Sequence, residues 1–156
     1  MKLQQDLREF VELLNSHEVE FLVVGGHAVA FHGHPRFTGD IDFLIRPSVE
    51  NATRVLRALR AFGFGDLPLT VVDFVKPGNV VQLGRPPNRI DLLTSVSGLD
   101  FEDAWSSRVQ SELDGLPVCF LGWQSLIDNK QASGRPKDLA DVAKLKAVAA
   151  ARRSPG

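Results

Sequence analysis

The chain has 156 residues, 44% of them hydrophobic and 24% charged, enough apolar material to bury a real core and too much for a disordered chain. A net charge of -1 and a pI of about 6.4 exclude a protein that coats nucleic acid by bulk electrostatics, leaving only a local basic patch for that task. A lone cysteine, Cys119 in the apolar run PVCFLG, excludes an intramolecular disulfide and reads as a small buried hydrophobe. The amino-terminal MKLQQDLREF has no apolar signal core, and no apolar run approaches the ~18 residues of a membrane span. The expectation is a cytoplasmic protein with no membrane partner.

Leu3, Leu7, Phe10, Val11 and Leu14 recur at helical spacing and predict an amphipathic helix over residues 2–15. VEFLVVGG then reads as a buried strand halted by Gly25 and Gly26, followed by a short helix in HAVAFHG. DIDFLIR is a second strand, closed by Pro47. Ser48 is the expected N-cap of a helix whose apolar face holds Val49, Val55, Leu56, Leu59 and Phe62, with Gly63 as its stop. Arg54, Arg57 and Arg60 share the other side of that helix, the pattern of a solvated face. LTVVDFV and NVVQLG predict two strands around the turn KPGN, and RIDLLTSV a further strand carrying Asp91. DFEDAW suggests a short helix, LPVCFL a final strand, and WQSLIDNKQAS a helix ended by Gly134. Pro136 opens the last helix at the position where proline is accepted. The expected class is α+β, a mixed sheet flanked by helices, as one domain over residues 1–156.

Two features are costly for a fold to carry without another reason. Asp40 and Asp42 stand one residue apart on a strand, where aspartate is among the least favoured residues. Strand alternation puts both on one side, ~6.5–7 Å apart, with Ile41, Phe43 and Ile45 on the other. Asp91 offers a third carboxylate if its strand pairs beside the first. Three oxygen-only ligands suit Mg2+, with Mn2+ sharing the same octahedral preference. Two such ions, ~3.5–4 Å apart, would activate a hydroxyl and steady a leaving pyrophosphate. The glycine pair, where a strand turns into a helix, leaves backbone N–H groups open to a phosphate. H-G-H at 32–34 supplies two imidazoles, with His27 nearby, but no cysteine or further histidine completes a zinc set. Trp105 and Trp123 read first as core, and Asp73 as a surface acid. Asp138 and Asp141 also allow a bland reading, as acids that cap the first turns of the last helix and face solvent.

VVGGHAVAFHGHPRFTGDIDFLI resembles the nucleotidyltransferase superfamily built on the DNA polymerase β-like palm: a glycine pair at a helix start, D-x-D, then a distal third acid. It is most similar to the small bacterial branch of stand-alone enzymes and AbiEii-like toxins, and NKQASGRPKDLADVAKL is similar to that branch's C-terminal element. The resemblance spans roughly residues 20–146. It implies a palm core over about 20–122 and C-terminal helices over about 123–153. It further implies that Asp40, Asp42 and Asp91 hold the metals and carry catalysis, with Asp91 helping to deprotonate the acceptor. Gly25 and Gly26 would cradle the triphosphate, with Arg36, Thr38, Lys130, Arg135 and Lys137 binding the nucleotide and Asp138 next to Lys130.

The implied activity is Mg2+-dependent transfer of a nucleoside monophosphate from an NTP, ATP among the candidates, to a hydroxyl. An RNA 3′ end such as that of tRNA, a protein and a small molecule are all acceptors consistent with the sequence. A toxin role would bring an antitoxin protein as partner. The competing class is a nucleotide-binding module that does not turn over. A dinucleotide-binding domain is rejected, because GGHAVAF has no third glycine and that reading leaves D-I-D unexplained.

Overall fold

Phe21–Val24 is buried at all four positions, the mark of a strand covered on both faces, and it forms β1 of a six-stranded sheet. The computed structural model describes residues 4–33, 39–84 and 89–153. Around β1 the chain runs α1 (Gln5–Ser16), β1, α2 (Gly25–Phe31), β2 (Ile41–Ile45) and α3 (Val49–Ala61). It continues through a 3-10 turn (Val71–Phe74), β3 (Val80–Leu83), β4 (Ile90–Leu93), α4 (Phe101–Ser106) and the hairpin β5 (Val109–Leu113) and β6 (Leu116–Phe120). Two helices close it, α5 (Trp123–Ser133) and α6 (Pro136–Arg153).

The sheet order is β3-β4-β2-β1-β6-β5. β2 runs antiparallel to β1 and parallel to β4, and β6 lies parallel to β1, so the sheet is mixed as expected. Ile41, Phe43 and Ile45 are all fully buried on one face of β2. Phe10 of α1 packs on Phe43 with ring centroids 6.1 Å apart and on Phe62 at 5.2 Å, which places α1 and the end of α3 on that face. Ser48 caps α3 as predicted, its hydroxyl accepting from the Asn51 N–H at 3.2 Å. Gly134 takes a left-handed φ of +66° at the end of α5, and Pro136 is the first residue of α6.

Two segments depart from the sequence reading. LTVVDFV is not a strand. Asp73 Oδ2 accepts from the Thr70 N–H at 2.7 Å and the Thr70 side chain returns the favour, so a capping box winds Val71–Phe74 into a 3-10 turn. Its β-branched residues find no sheet to cover them: Val72 is 67% exposed and only Phe74 is buried. Conversely, VQSEL forms β5, which the pattern of alternating polar residues did not announce. Its turn is Asp114-Gly115, both at positive φ (52° and 77°), the signature that closes two-residue hairpins.

Candidate active site

β2 and β4 pair in parallel with Asp42 directly opposite Asp91. Adjacent strands lie ~4.8 Å apart, so these two carboxylates share one face of the sheet at close quarters. On the other side of β2, Asp42 is the partner of Val24, the last residue of β1. The chain then turns at Gly25, whose φ is +67°. A Cβ at Gly25 would stand 2.2 Å from Asp42 Oδ2. Two separate constraints therefore require glycine: the left-handed backbone and the carboxylate pressed against it. Asp40 precedes β2 rather than lying in it, and its Oδ1 accepts from the Arg89 N–H at 3.2 Å.

Electrostatics mark Asp42 out. Burial, then the charge of Asp91 and a hydrogen bond with it, then the charge of Asp40, push its carboxyl up to about 6, against a weaker opposing pull from Arg89. Among the described residues, the cation that meets these acids is Arg89, which the sequence reading did not single out. Its Nε and Nη2 donate to the two oxygens of Asp91 at 2.8 and 3.1 Å, and Nη2 lies 3.5 Å from Asp40 Oδ2. The signal was present in R-I-D, since residues two apart on a strand share a face. With the side chains so arranged, no set of three His, Cys, Asp or Glu residues gathers on one point among the described residues.

A cavity of about 490 Å3 opens beside the acids, lined by Gly25 and Asp42 at one side and by Lys130, Arg135 and Asp138 at the other. Its volume is in the range of small-ligand sites. Ser97 and Asn129 also line it: Ser97 lies outside every motif, and Asn129 opens the C-terminal motif without having been singled out. Lys130, near the end of α5, is buried, and its Nζ lies 3.4 Å from Asp138 Oδ1 and 3.2 Å from Asp141 Oδ2. Arg135 forks onto Asp138 at 2.7 and 3.2 Å while its own side chain stays 71% exposed. The hydrogen bond from Arg135 holds Asp138 below the usual carboxylate range, with Lys130 adding to the effect against the cost of burial. Asp138 and Asp141 therefore do not face solvent. They are only 1% and 3% exposed, because α6 folds back on α5 and sets them against Lys130.

The structure thus brings Gly25, Asp42 and Asp91 together, sets Asp40 at Arg89, and puts Lys130 and Arg135 across the cavity. Gly26 follows Gly25 in the first turn of α2. Lys137 is exposed on the first turn of α6 and does not line the cavity. Arg36, Thr38 and His34 lie outside the described residues. His27 is buried, its ring nitrogens have no hydrogen-bond partner among the described residues, and desolvation lowers its basicity against a weaker opposing effect of the Asp40 main chain. His32 gives its Nε2 to the Leu121 carbonyl at 2.7 Å, in a groove with Trp123 and Arg152. Trp105 stacks with Phe101 and has the guanidinium groups of Arg46 and Arg108 5.5 and 4.0 Å from its ring centre. Asp73 belongs to the capping box of the 3-10 turn.

Gly25→Ala is expected to lower stability by about 1–2 kcal/mol through its backbone alone and to displace Asp42 as well. Gly115→Ala is the control, since its φ of +77° is similar and a Cβ there meets nothing within 4 Å. Both should lose Tm, but only Gly25→Ala should lose catalytic activity.

The fold is that of nucleotidyltransferases as a class. Residues 1–150 match the family described as "Nucleotidyltransferase of unknown function (DUF6036)", and the chain belongs to it. The transfer chemistry of that class is the activity the family assigns. A putative nucleotidyltransferase from Thermotoga maritima is structurally similar, with a TM-score of 0.56 at 18% identity over 91% of this chain and 87% of that one. So is ANT(2")-Ia, solved with adenylyl-2"-tobramycin, with a TM-score of 0.57 at 14% identity over 94% of this chain and 89% of that one. The lincosamide antibiotic adenylyltransferase LnuA, lincomycin-bound, also has a TM-score of 0.57 at 14% identity, over 94% and 98% of the two chains. At such identities the likeness is one of fold. No protein of curated function matches the sequence. Among the described residues, no helix is long and apolar enough to cross a membrane.

Proposed function

We propose that this chain transfers a nucleoside monophosphate from an NTP to a hydroxyl acceptor, using Asp40, Asp42 and Asp91 as its metal-binding acids. The observation that carries the reading is Asp42 facing Asp91 across paired strands, with Gly25 pressed against Asp42 at the edge of a 490 Å3 cavity. The donor set fits a hard divalent cation, Mg2+ or Mn2+: every ligand is a carboxylate oxygen, and burial with the charges of Asp91 and Asp40 raises Asp42 to about 6. Asp40 joins the set by turning from Arg89. When bound, the cation supplies charge neutralisation for the triphosphate and acidifies the attacking hydroxyl.

The remaining work belongs to the chain. Gly25 and Gly26 leave the approach to Asp42 open to the phosphates, because neither presents a side chain. Arg135, solvent-accessible at the far wall, is the cation best placed to meet the nucleotide, and Lys130 adds charge from beneath it. Arg36, Thr38 and Lys137 complete the nucleotide-binding set carried over from the motif. The acceptor oxygen forms its bond to the α-phosphorus as the bond to the bridging oxygen of the β-phosphate breaks. Pyrophosphate leaves, and Asp91 takes the hydroxyl proton.

For the acceptor, the adenylylated and antibiotic-bound partners of two structural neighbours favour a small-molecule hydroxyl, and a net charge of -1 gives no bulk attraction to RNA. Transfer of label from each alpha-labelled NTP into a whole-cell extract, split into small-molecule, RNA and protein fractions, tests both steps. Label in the small-molecule fraction that requires divalent metal and vanishes with Asp42→Asn is the expected result. Label in tRNA or protein would move the acceptor there and bring a toxin role with an antitoxin partner into view. No label in any fraction, from folded protein, would favour the silent nucleotide-binding module.

A further inference from the structure

Arg89 is the charged side chain at this site that the transfer chemistry leaves without a task. It stands two residues before Asp91, and its guanidinium takes both Asp91 oxygens, at 2.8 and 3.1 Å. The same Nη2 lies 3.5 Å from Asp40 Oδ2, and the Arg89 main-chain N–H donates to the other Asp40 oxygen at 3.2 Å. One residue thus engages two of the three acids through four contacts. The planar fork matches a carboxylate edge, and each lone pair it occupies is one that a cation would need. Arg89 and a divalent ion cannot hold that edge of Asp91 together.

We propose that Arg89 is an internal competitor for the metal, which couples metal binding to nucleotide binding; the proposal rests on the nucleotidyl-transfer reading. A bare cation must displace the fork and leave a guanidinium with no anion. A cation arriving with a triphosphate brings the replacement anion with it, because the freed guanidinium pairs with phosphate oxygens in the same bidentate way. Metal and nucleotide then each raise the affinity for the other, as linkage requires. Asp42 is outside the Arg89 fork and remains the acid that receives the ion first.

The test is Mn2+ binding followed by EPR of the free ion, with and without the unreactive analogue α,β-methylene-ATP, for the wild type and Arg89→Gln. Without nucleotide, Arg89→Gln should bind Mn2+ about tenfold more tightly than the wild type, within the range usual for competing sites. With the analogue that advantage should vanish, because the wild type regains a phosphate contact the variant lacks. Arg89→Lys keeps the charge but not the fork, should fall between the two, and carries the comparison if Arg89→Gln does not fold. Mn2+ affinity unchanged or weakened in the variants would overturn the proposal. If that occurs while the wild type still transfers label, only the competitor role falls. If the wild type binds no Mn2+ even with the analogue and transfers nothing, the nucleotidyl-transfer reading falls with it.

Discussion

Asp42→Asn is expected to abolish nucleotidyl transfer, by about 10^3-fold or more, while making the protein more stable at neutral pH. The activity loss follows from removing a metal-binding acid whose charge stabilisation is worth several kcal/mol, each 1.36 kcal/mol being tenfold in rate. The stability gain follows from linkage. Asp42 titrates near 3.8 when unfolded and at about 6 in the fold. Below pH 4 both states hold the proton and the group has no effect. Between pH 4 and 6 the unfolded chain releases it first, so the folded state binds more protons and stability falls as pH rises. Above pH 6 the penalty is constant, at most about 3 kcal/mol. Urea denaturation in EDTA at pH 4 and pH 7.5 checks this. The wild type should be less stable at the higher pH through this group, and Asp42→Asn should remove that difference. A variant less stable than the wild type at pH 7.5 would mean that the Asp42 charge serves the fold, and would count against the metal-site reading.

The second large effect is expected at Lys130. Lys130→Met keeps the length of the side chain but takes a buried cation from between Asp138 and Asp141, at 3.4 and 3.2 Å. Breaking a buried ion pair by removing one partner costs about 3–5 kcal/mol. The lower end applies here, because Arg135 stays on Asp138. The double variant Lys130→Met, Asp141→Leu should recover much of that stability, since replacing a buried ion pair by apolar side chains is often neutral or stabilising. Thermal unfolding of the three proteins measures it. A single variant within about 0.5 kcal/mol of the wild type, the range of ordinary surface changes, would show that the α5–α6 junction does not depend on this pair.

These two sites were legible in the sequence to different degrees. D-I-D after a glycine pair was conspicuous because local rules argue against it: aspartates stand where a strand wants apolar residues. The same reasoning located Asp91 but not its partner, because which strand lies beside β2 depends on how the segment between them folds. Arg89 was hidden in plain view, two residues from Asp91, since a single strand does not reveal whether an arginine on the acid face turns toward the acids or away. The resemblance set Asp138 beside Lys130, while position alone allowed Asp138 and Asp141 to face solvent as acids of a helix's first turns usually do. Only the return of α6 onto α5 buries them against Lys130. LTVVDFV misled in the opposite direction, its β-branched residues outvoted by a Thr70–Asp73 capping box and the lack of a neighbouring strand.

What the sequence by itself determined is the set of local units: a strand ending in two glycines, the acids that follow, the capped helix at Ser48, and the Gly134–Pro136 break between α5 and α6. Each follows from backbone freedom, capping or side-chain alternation within a few residues. What only the tertiary structure decided is which of these units meet. The parallel register of β2 and β4 sets Asp42 opposite Asp91, the turn at Gly25 brings the backbone against Asp42, and Arg89 spans two of the acids. Those contacts join residues far apart in the chain, and pairing between distant strands is fixed by the burial of the whole sheet rather than by any stretch of its sequence.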